Sequence, residues 1–374
     1  MNRRLAFEAF SPGQLGRLAT KALVVEACLT PKPGLVDAHD SGAHRDMNLT
    51  LLLRSAQTLE PWYARCAEIG AVPGYSTASL RQVGRDAETA MLAATGGVNT
   101  HKGAIFALGW LCAAGAAETA DSGPDPDPGL AGPAGRRALV AAGPEGGCSL
   151  VATAEPFFGL AAGRSTPKAS ATSESPFGLA AGRSSAAAVG SFATAAEHPL
   201  VVRLCGHVAK RVLEPEAAPG PVKPAAAGAS LSHGQQAWRE YGLPGARGEA
   251  AGGFATVRRH GLPAWQGALE RGWDSEDALL AALIALMAHN GDTNLVARGG
   301  LAALRRVQTW AAALEAQLAE ITPAALWDAA AAANRWFSSD RLSPGGSADL
   351  LAVTWFLGKV AQIPPATCKR PGRP

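Results

Sequence analysis

The residues best suited to chemistry lie in six short polar clusters that interrupt long apolar stretches of the chain. The clusters are Thr30–Asp37, Ser41–Met47, Thr95–Gly103, Gly245–Ala250, Gly291–Asn294 and Ser343–Asp349. With two nearby residues they supply five carboxylates and four cations: Asp46, Glu88, Glu249, Asp292, Asp349, Lys32, Lys102, Arg247 and Arg298. Carboxylates and water hold Mg²⁺, whereas Lys and Arg bind phosphate oxygens. This combination indicates a magnesium–polyphosphate ligand.

The cluster Thr95–Gly103 is the most unusual of the six. Two glycines, then Asn99 and Thr100, then His101 and Lys102 lead into an apolar helix. A lysine in the first turn opposes the helix dipole by ~0.3–1 kcal/mol. A bound anion would remove that cost, because free N–H groups and a cation together form a phosphate site. The alternative is a capped helix with an exposed lysine.

Each of the other clusters also has a simpler structural interpretation. Lys32 can stand in a rigid Pro/Gly turn that ends a helix. Asp46 and Asp349 can be capping residues at helix starts. Arg247–Glu249 can form an internal ion pair, and Asp292 can mark a helix junction. No cluster is decisive alone.

The elements that position these clusters are predicted to be helices. Apolar residues recur at three- and four-residue steps, and alternating β-branched runs are nearly absent. The fold class is therefore all-α, a single-domain helical bundle. The predicted helices are Leu15–Ala27, Asn48–Ala71, Leu80–Ala94, Asn99–Ala117, Pro199–Leu213, Ser275–His289, Leu295–Ala319, Pro323–Trp336 and Ser347–Val360.

A long insert separates two parts of the predicted bundle. Half of the 26 prolines fall in 121–230, and the octapeptide Phe158–Ser165 recurs unchanged at Phe177–Ser184. Such low-complexity sequence cannot bury enough apolar surface to offset its chain entropy. We predict that 1–120 and 196–374 form one catalytic domain and that 121–195 is a disordered insert. The alternative for the insert is a substrate lid.

Composition excludes several classes of protein. A net charge of +3 does not favour nucleic acid or an anionic membrane as partner. The six cysteines form no CxxC pair, so we expect reduced thiols. No signal peptide and no apolar run of membrane-spanning length is found, which predicts a cytoplasmic protein. A Walker P-loop and a GxGxxG turn after a strand are also absent, which excludes the familiar nucleotide folds.

Taken in order, the clusters resemble the triphosphoribosyl-dephospho-CoA synthases. The resemblance covers roughly 15–120 and 196–360 and is nearer to the form associated with malonate decarboxylase than to the citrate lyase form. The insert is the departure from the family. The matching motifs are Thr30–Asp37, Ser41–Met47, Glu88–Met91, Gly97–Gly103, Gly245–Glu249, Asp292–Asn294 with Arg298–Gly300, and Ser343–Leu350.

The resemblance implies an all-helical pentosyltransferase that joins ATP to 3′-dephospho-CoA and releases adenine. Its product would be the precursor of an acyl-carrier-protein prosthetic group, used by a downstream carrier-protein transferase. Asp46, His101 and Glu88 are predicted to be catalytic, with Asp46 and His101 the first choices for proton transfer. Mg²⁺ would be held by Asp292, Glu249 and Asp349. The predicted ATP-binding residues are Lys32, Asn99, Thr100, Lys102, Arg247 and Arg298.

Two other functions fit the polar clusters alone. One is a Mg²⁺-dependent hydrolase of a nucleoside or phosphate ester on the same fold. The other is a non-catalytic assembly factor, which would leave the charged residues at helix ends without a purpose. Release of adenine that requires dephospho-CoA distinguishes the synthase from both.

Overall fold

A computed structural model of the chain describes residues 10–120, 195–214, 233–243 and 245–361. These residues form twelve α-helices and no β-strand, which confirms the all-α prediction. The helices are α1 (Pro12–Cys28), α2 (Leu49–Gly70), α3 (Thr77–Ala94), α4 (Lys102–Ala120), α5 (Pro199–Val212), α6 (His233–Tyr241), α7 (Gly245–Ala251), α8 (Leu262–Glu270), α9 (Ser275–His289), α10 (Thr293–Glu315), α11 (Pro323–Ser339) and α12 (Gly345–Ala361).

Side-chain caps set the start of many helices. Ser11 and Gln14 form a reciprocal capping box at the start of α1, with Pro12 in the first helical position. Asn48 caps α2, and Asp274 caps α9 by accepting from two backbone N–H groups. These side chains satisfy N–H groups that have no partner within the helix.

The helices α4, α9 and α12 form the centre of the bundle. Every residue of α9 from Asp277 to Ala288 is buried, as is every residue of α12 from Leu350 to Gly358. Helices that are apolar all round have to be covered on every side. The helix α1 packs on α2, α4 and α12, and α8 and α10 pack on α9. The clusters at the ends of the central helices are thereby fixed by a closely packed core.

The sequence missed the helices between 233 and 270. The helices α6, α7 and α8 are short, and α7 contains two glycines within seven residues, so their apolar periodicity is weak. A π-helical turn, Val257–Gly261, leads into α8. The predicted continuous helix Leu295–Ala319 is instead kinked at Gly300, whose φ is 69°.

The predicted insert 121–195 lies outside the described residues, except for Ala195. Among the described helices, none alone has the length and hydropathy of a membrane span. Taken together, α9 and α10 are long and apolar enough for a span, but they are bent by 58° relative to each other.

Candidate active site

The N-terminal ends of α10 and α12 are joined by one carboxylate. Asp292, 1% exposed, caps α10 by accepting from the N–H groups of Asn294 and Leu295 at 3.0 and 3.4 Å. Its other oxygen accepts from the backbone N–H and hydroxyl of Ser347, in the first turn of α12, at 2.8 and 3.0 Å. Burial raises the pKa of Asp292, and these hydrogen bonds oppose the rise. Asp292 therefore fixes two helix N-termini side by side.

A second carboxylate joins α12 to the start of α4. The side chain of Asp349 accepts a hydrogen bond from the backbone N–H of Ala104. A Cβ atom on Gly103 would lie 2.0 Å from Oδ2 of Asp349, so only glycine allows this approach. Burial, and then the charges of Glu26 and Asp292, raises the pKa of Asp349 well above its usual range. Three acidic side chains thus gather where three helix N-termini meet.

Lys32 is buried beside this acidic group. Its Nζ donates to Oε1 of Glu26 at 2.7 Å and to the Glu26 backbone carbonyl at 2.6 Å. Lys32 and Glu26 are 1% and 7% exposed. The backbone N–H of Lys32 donates to Asp37 at 2.9 Å, which fixes the turn after α1. Lys32 was predicted to bind ATP, and here its ammonium group is already held by Glu26.

His101 precedes α4 and is buried against α2. Its Nδ1 lies 2.8 Å from Oγ of Ser55, which also lies 2.7 Å from the Thr100 hydroxyl. Its Nε2 is buried and has no hydrogen-bond partner among the described residues. Burial, and then Lys32, lowers the pKa of His101 to about 3. The ring is therefore neutral at pH 7 and is a poor proton donor, and its unpaired Nε2 is enclosed in the ligand-free protein.

Lys102 and Glu88, both predicted site residues, form an ion pair. Nζ of Lys102 lies 2.8 Å from Oε2 of Glu88 on α3, and the lysine side chain is 51% exposed. The side chain of Asn99 accepts from the backbone N–H of Lys102 at 3.2 Å. This pair keeps an exposed cation at the N-terminus of α4.

The loop Ser41–Met47 meets α10 and the start of α12. Nε2 of His44 lies 2.8 Å from the Ser343 hydroxyl, and its Nδ1 lies 3.5 Å from Asp46. Arg298 donates to the backbone carbonyls of Ala43 and Arg341 at 3.2 and 3.1 Å, and its guanidinium lies 3.2 Å from His44 Nδ1. Burial, then Arg298, lowers the pKa of His44. Asp46 itself is exposed.

The helix α7 carries the fourth predicted cluster and reaches the start of α10. A Cβ on Gly245 would lie 3.3 Å from Cγ2 of Thr293. Glu249 accepts from the hydroxyl and backbone N–H of Thr256 at 2.6 and 3.2 Å, and Arg247 is exposed. The alternative for this cluster, an Arg247–Glu249 ion pair, is therefore not formed, and Glu249 contacts Thr256 instead.

The carboxylate oxygens of the predicted magnesium ligands differ in how many hydrogen bonds they already accept from the protein. Asp292 accepts four hydrogen bonds, and Glu249 is held by Thr256. The predicted ligands are Asp292, Glu249 and Asp349. In the described structure their carboxylate oxygens do not all lie within 4.8 Å of one another, as the ligands of a single ion would. Asp349 fits best: burial, and then repulsion from Glu26 and Asp292, raises its pKa, and a divalent cation would relieve that repulsion.

Two residues of this site, Glu26 and Ser55, are not predicted by the sequence, and His44 is predicted only as a member of the Ser41–Met47 cluster. Glu26 had a detectable signal, since it interrupts the apolar run Val24–Ala27 on a helix face that should be buried. Ser55 had none, because a single serine on the buried face of α2 is unremarkable in sequence. His44 lies within the predicted cluster Ser41–Met47, two residues before the predicted site residue Asp46.

The bundle is all-α, and carboxylates, a buried lysine and exposed cations lie together at its helix N-termini. This combination is typical of a helical enzyme rather than of a scaffold. The chain belongs to the ATP:dephospho-CoA triphosphoribosyl transferase family, which it matches over residues 12–139 and 165–367. It is therefore a transferase of the triphosphoribosyl-dephospho-CoA synthase type, and the predicted family is confirmed. No solved structure matches the chain.

Curated relatives agree with the family match. A probable 2-(5″-triphosphoribosyl)-3′-dephosphocoenzyme-A synthase of Vibrio cholerae is 35% identical over 357 residues, 94% of this chain and 90% of the relative. The synthase of Pectobacterium atrosepticum is 35% identical over 94% of this chain and 90% of its own length. That of Klebsiella pneumoniae is 37% identical, covering 90% and 87%. The family match also enters the predicted insert and leaves 140–164 unmatched.

Proposed function

We propose that this protein transfers the 5-triphosphoribosyl group of ATP to the 2′-hydroxyl of 3′-dephospho-CoA and releases adenine. The observation that carries the proposal is the meeting of the N-termini of α4, α10 and α12 through Asp292 and Asp349. The first-turn N–H groups of these helices donate to Asp292 and Asp349, so we infer that a triphosphate would bind here through Mg²⁺ on the carboxylates and through the surrounding cations. A triphosphate is the strongest anion among the substrates of this family.

The cations around this junction suit a triphosphate that is bound but not cleaved. Lys102 is exposed at the start of α4, and Arg298 extends from α10 over the loop that holds His44. Arg247 is exposed on α7, whose first residue contacts Thr293 at the start of α10. Charge-assisted hydrogen bonds from such groups position phosphates, and in the proposed reaction the phosphoanhydride bonds are not broken.

The reaction breaks the bond between ribose and adenine, and positive charge develops at the anomeric carbon. A transition state of this oxocarbenium type is stabilised by a nearby carboxylate. We assign this role to Asp349, because it adjoins the helix N-termini and its repulsion with Glu26 and Asp292 favours a nearby positive charge. Asp46 is exposed in the Ser41–Met47 loop and remains our candidate for proton transfer.

His101 takes a different part in this proposal. Its ring is neutral at pH 7, and its unpaired, buried Nε2 would accept from, or donate to, the ribose or the acceptor hydroxyl once substrate binding exposes it, depending on the tautomer. Ser55 fixes the ring through Nδ1. Glu88 sets the position of Lys102 in the absence of substrate.

Mg²⁺ belongs to the proposal as the counter-ion of the triphosphate. Asp349 is the residue best placed to hold it, with Asp292 and Glu249 as the other predicted ligands. When bound, the ion would neutralise phosphate charge and orient the substrate.

The test is an incubation of the protein with ATP, Mg²⁺ and 3′-dephospho-CoA, followed by mass spectrometry. We expect one triphosphoribosyl-dephospho-CoA and one free adenine per turnover, with Asp349→Asn as the inactive control. Adenine or inorganic phosphate released at the same rate without dephospho-CoA would instead identify a hydrolase.

We propose further that the product serves the acyl carrier protein of malonate decarboxylase, through a downstream carrier-protein transferase. The support is the motif resemblance to that form of the family. Deletion of the gene should leave that carrier protein without its prosthetic group, as intact-mass measurement would reveal. Loss of the group from a citrate lyase carrier protein would contradict the assignment.

A further inference from the structure

Three metal-ligating side chains meet on the described structure outside the residues assigned above. His260 lies in the π-helical turn Val257–Gly261, His289 in the last turn of α9, and Glu315 in the last turn of α10. One ligand atom from each lies within 4.8 Å of the other two. Among the described residues, no other group of three or more His, Cys, Asp or Glu side chains has its ligand atoms within that distance.

We propose that His260, His289 and Glu315 form a binding site for a divalent transition-metal ion of the zinc type. Two imidazoles and one carboxylate are a ligand set that suits Zn²⁺, with water in the fourth position. Mg²⁺ prefers oxygen ligands and keeps several waters, so the two imidazoles select against it.

The distances lie close to those that coordination needs. Ligand atoms bound to one tetrahedral zinc at ~2.0–2.1 Å are roughly 3.3 Å apart. Nε2 of His289 lies 2.7 Å from Oε2 of Glu315, and Nδ1 of His260 lies 3.9 Å from Oε1 of the same carboxylate. These separations fall on either side of the ideal value. The imidazole rings are stacked, with centroids 3.5 Å apart and an interplanar angle of 16°, so one ring has to turn out of the stack before both nitrogens can bind one ion.

The cluster is open to solvent on one side. The three side chains are 26–38% exposed, which lets an ion enter from solvent. The π-helical turn turns His260 toward the ends of α9 and α10, and such turns are frequent at functional sites.

Metal bound here would hold three segments together. The π-helical turn, the end of α9 and the end of α10 each contribute one ligand, and the ligands are 29 and 26 positions apart in sequence. An ion that binds only the folded state stabilises it by mass action. His289 is followed directly by Asn290–Asp292, which connects α9 to α10. The ion would therefore also hold this connection in place.

The test is titration of the chelator-treated protein with Co²⁺ and with Zn²⁺ in the presence of saturating Mg²⁺, which occupies oxygen-rich sites. We expect one equivalent of Co²⁺ with the visible spectrum of nitrogen and oxygen ligands, and displacement of that Co²⁺ by Zn²⁺. Zn²⁺ should also raise the thermal midpoint. A thiolate charge-transfer band would show binding by cysteine and would overturn the proposal.

Variants of the three proposed ligands test whether the metal ion binds at this cluster. His260→Gln, His289→Gln and Glu315→Gln should each weaken the binding of Zn²⁺ by at least about tenfold. His39→Gln, which alters an exposed histidine outside the cluster, is the matched control and should leave it unchanged. Circular dichroism checks that each variant is folded. Absence of a stoichiometric site in the wild type, or equal affinity in the folded cluster variants, would refute the site. Neither readout depends on triphosphoribosyl transfer.

Discussion

The ammonium group of Lys32 is held by both the side chain and the backbone carbonyl of Glu26, inside the protein and at the end of α1. The pair anchors the turn that carries the first polar cluster, because the backbone of Lys32 also donates to Asp37. Breaking a buried ion pair from one side leaves the other charge without compensation.

We therefore expect Lys32→Met to destabilise the protein by about 3–5 kcal/mol. The double variant Lys32→Met/Glu26→Leu should recover most of that loss, because it removes both charges. Denaturant unfolding of the two single variants and the double variant gives the coupling free energy. Additive effects in that cycle would contradict the buried pair.

Asp349→Asn should stabilise the ligand-free protein at neutral pH and abolish most of its activity. The folded-state pKa of Asp349 is raised, so its contribution to stability is full at low pH and is lost as pH rises through that pKa. Asparagine keeps an acceptor for Ala104 and carries no charge. The melting midpoint of the variant should exceed that of the wild type at pH 7, and the two should converge toward pH 4.

The loss of activity in Asp349→Asn should amount to about 10²–10³ in kcat, the usual effect of removing one preorganised electrostatic group. The control is Asp328→Asn, which changes a residue of α11 that is not among those joining the N-termini of α4, α10 and α12. A variant that is less stable and still active would show that Asp349 only caps α4.

His101 predicts a pH dependence of the opposite sense. Its folded-state pKa is about 3, below its ordinary value of 6.5, so the unfolded chain takes up the proton first as pH falls. Stability from this group is full above pH 6.5 and is lost as pH falls toward 3, on the order of a few kcal/mol. His101→Asn should flatten that part of the stability curve. Melting curves between pH 7 and pH 4 measure it, and parallel curves would contradict it.

The helices of the core could be predicted because their periodicity and caps are local properties. Ser275–His289 agrees at both ends, since Asp274 caps the start and Asn290-Gly291 ends the apolar run. The short helices α6, α7 and α8 could not be predicted, because they are stabilised by packing on α10, α5 and α9 rather than by their own sequence.

The site could be predicted only in part. The clusters at the starts of α4, α10 and α12 do meet, as their shared position at helix ends suggested. The partners of each side chain could not be predicted, because they come from distant elements. Glu26 pairs with Lys32, Ser55 holds His101, and Thr256 holds Glu249. Such contacts depend on the packed fold and have no local signal.

Deletion of 140–164 should leave turnover and the melting midpoint nearly unchanged. This segment is the part of the chain between the two stretches that match the family, and seven of its 25 residues are glycine or proline, which favour turns. Loop-closure entropy changes little with loop length, so a shorter connection has a small effect. Steady-state kinetics and melting curves provide the comparison. Insoluble protein after deletion would show that the segment packs.

The sharpest prediction concerns Lys102. Its ion pair with Glu88 is half exposed, and such pairs contribute about 0–1 kcal/mol. The helix dipole opposes the lysine by ~0.3–1 kcal/mol, so the two effects nearly cancel. Lys102→Ala should therefore change the stability of the ligand-free protein very little. ATP binding should weaken by about 10- to 100-fold, because a charge-assisted contact contributes ~1.5–3 kcal/mol.

Glu88→Gln is the matched variant, because it frees Lys102 without removing it. If the triphosphate competes with Glu88 for the ammonium group, Glu88→Gln should tighten ATP binding, and it should have no such effect in a Lys102→Ala background. Calorimetric titration of the wild type, both single variants and the double variant with ATP and Mg²⁺ measures the cycle. Binding of dephospho-CoA should be the same in all four proteins. An ATP affinity that Lys102→Ala does not change would remove the phosphate site from the start of α4, and with it the proposed orientation of ATP.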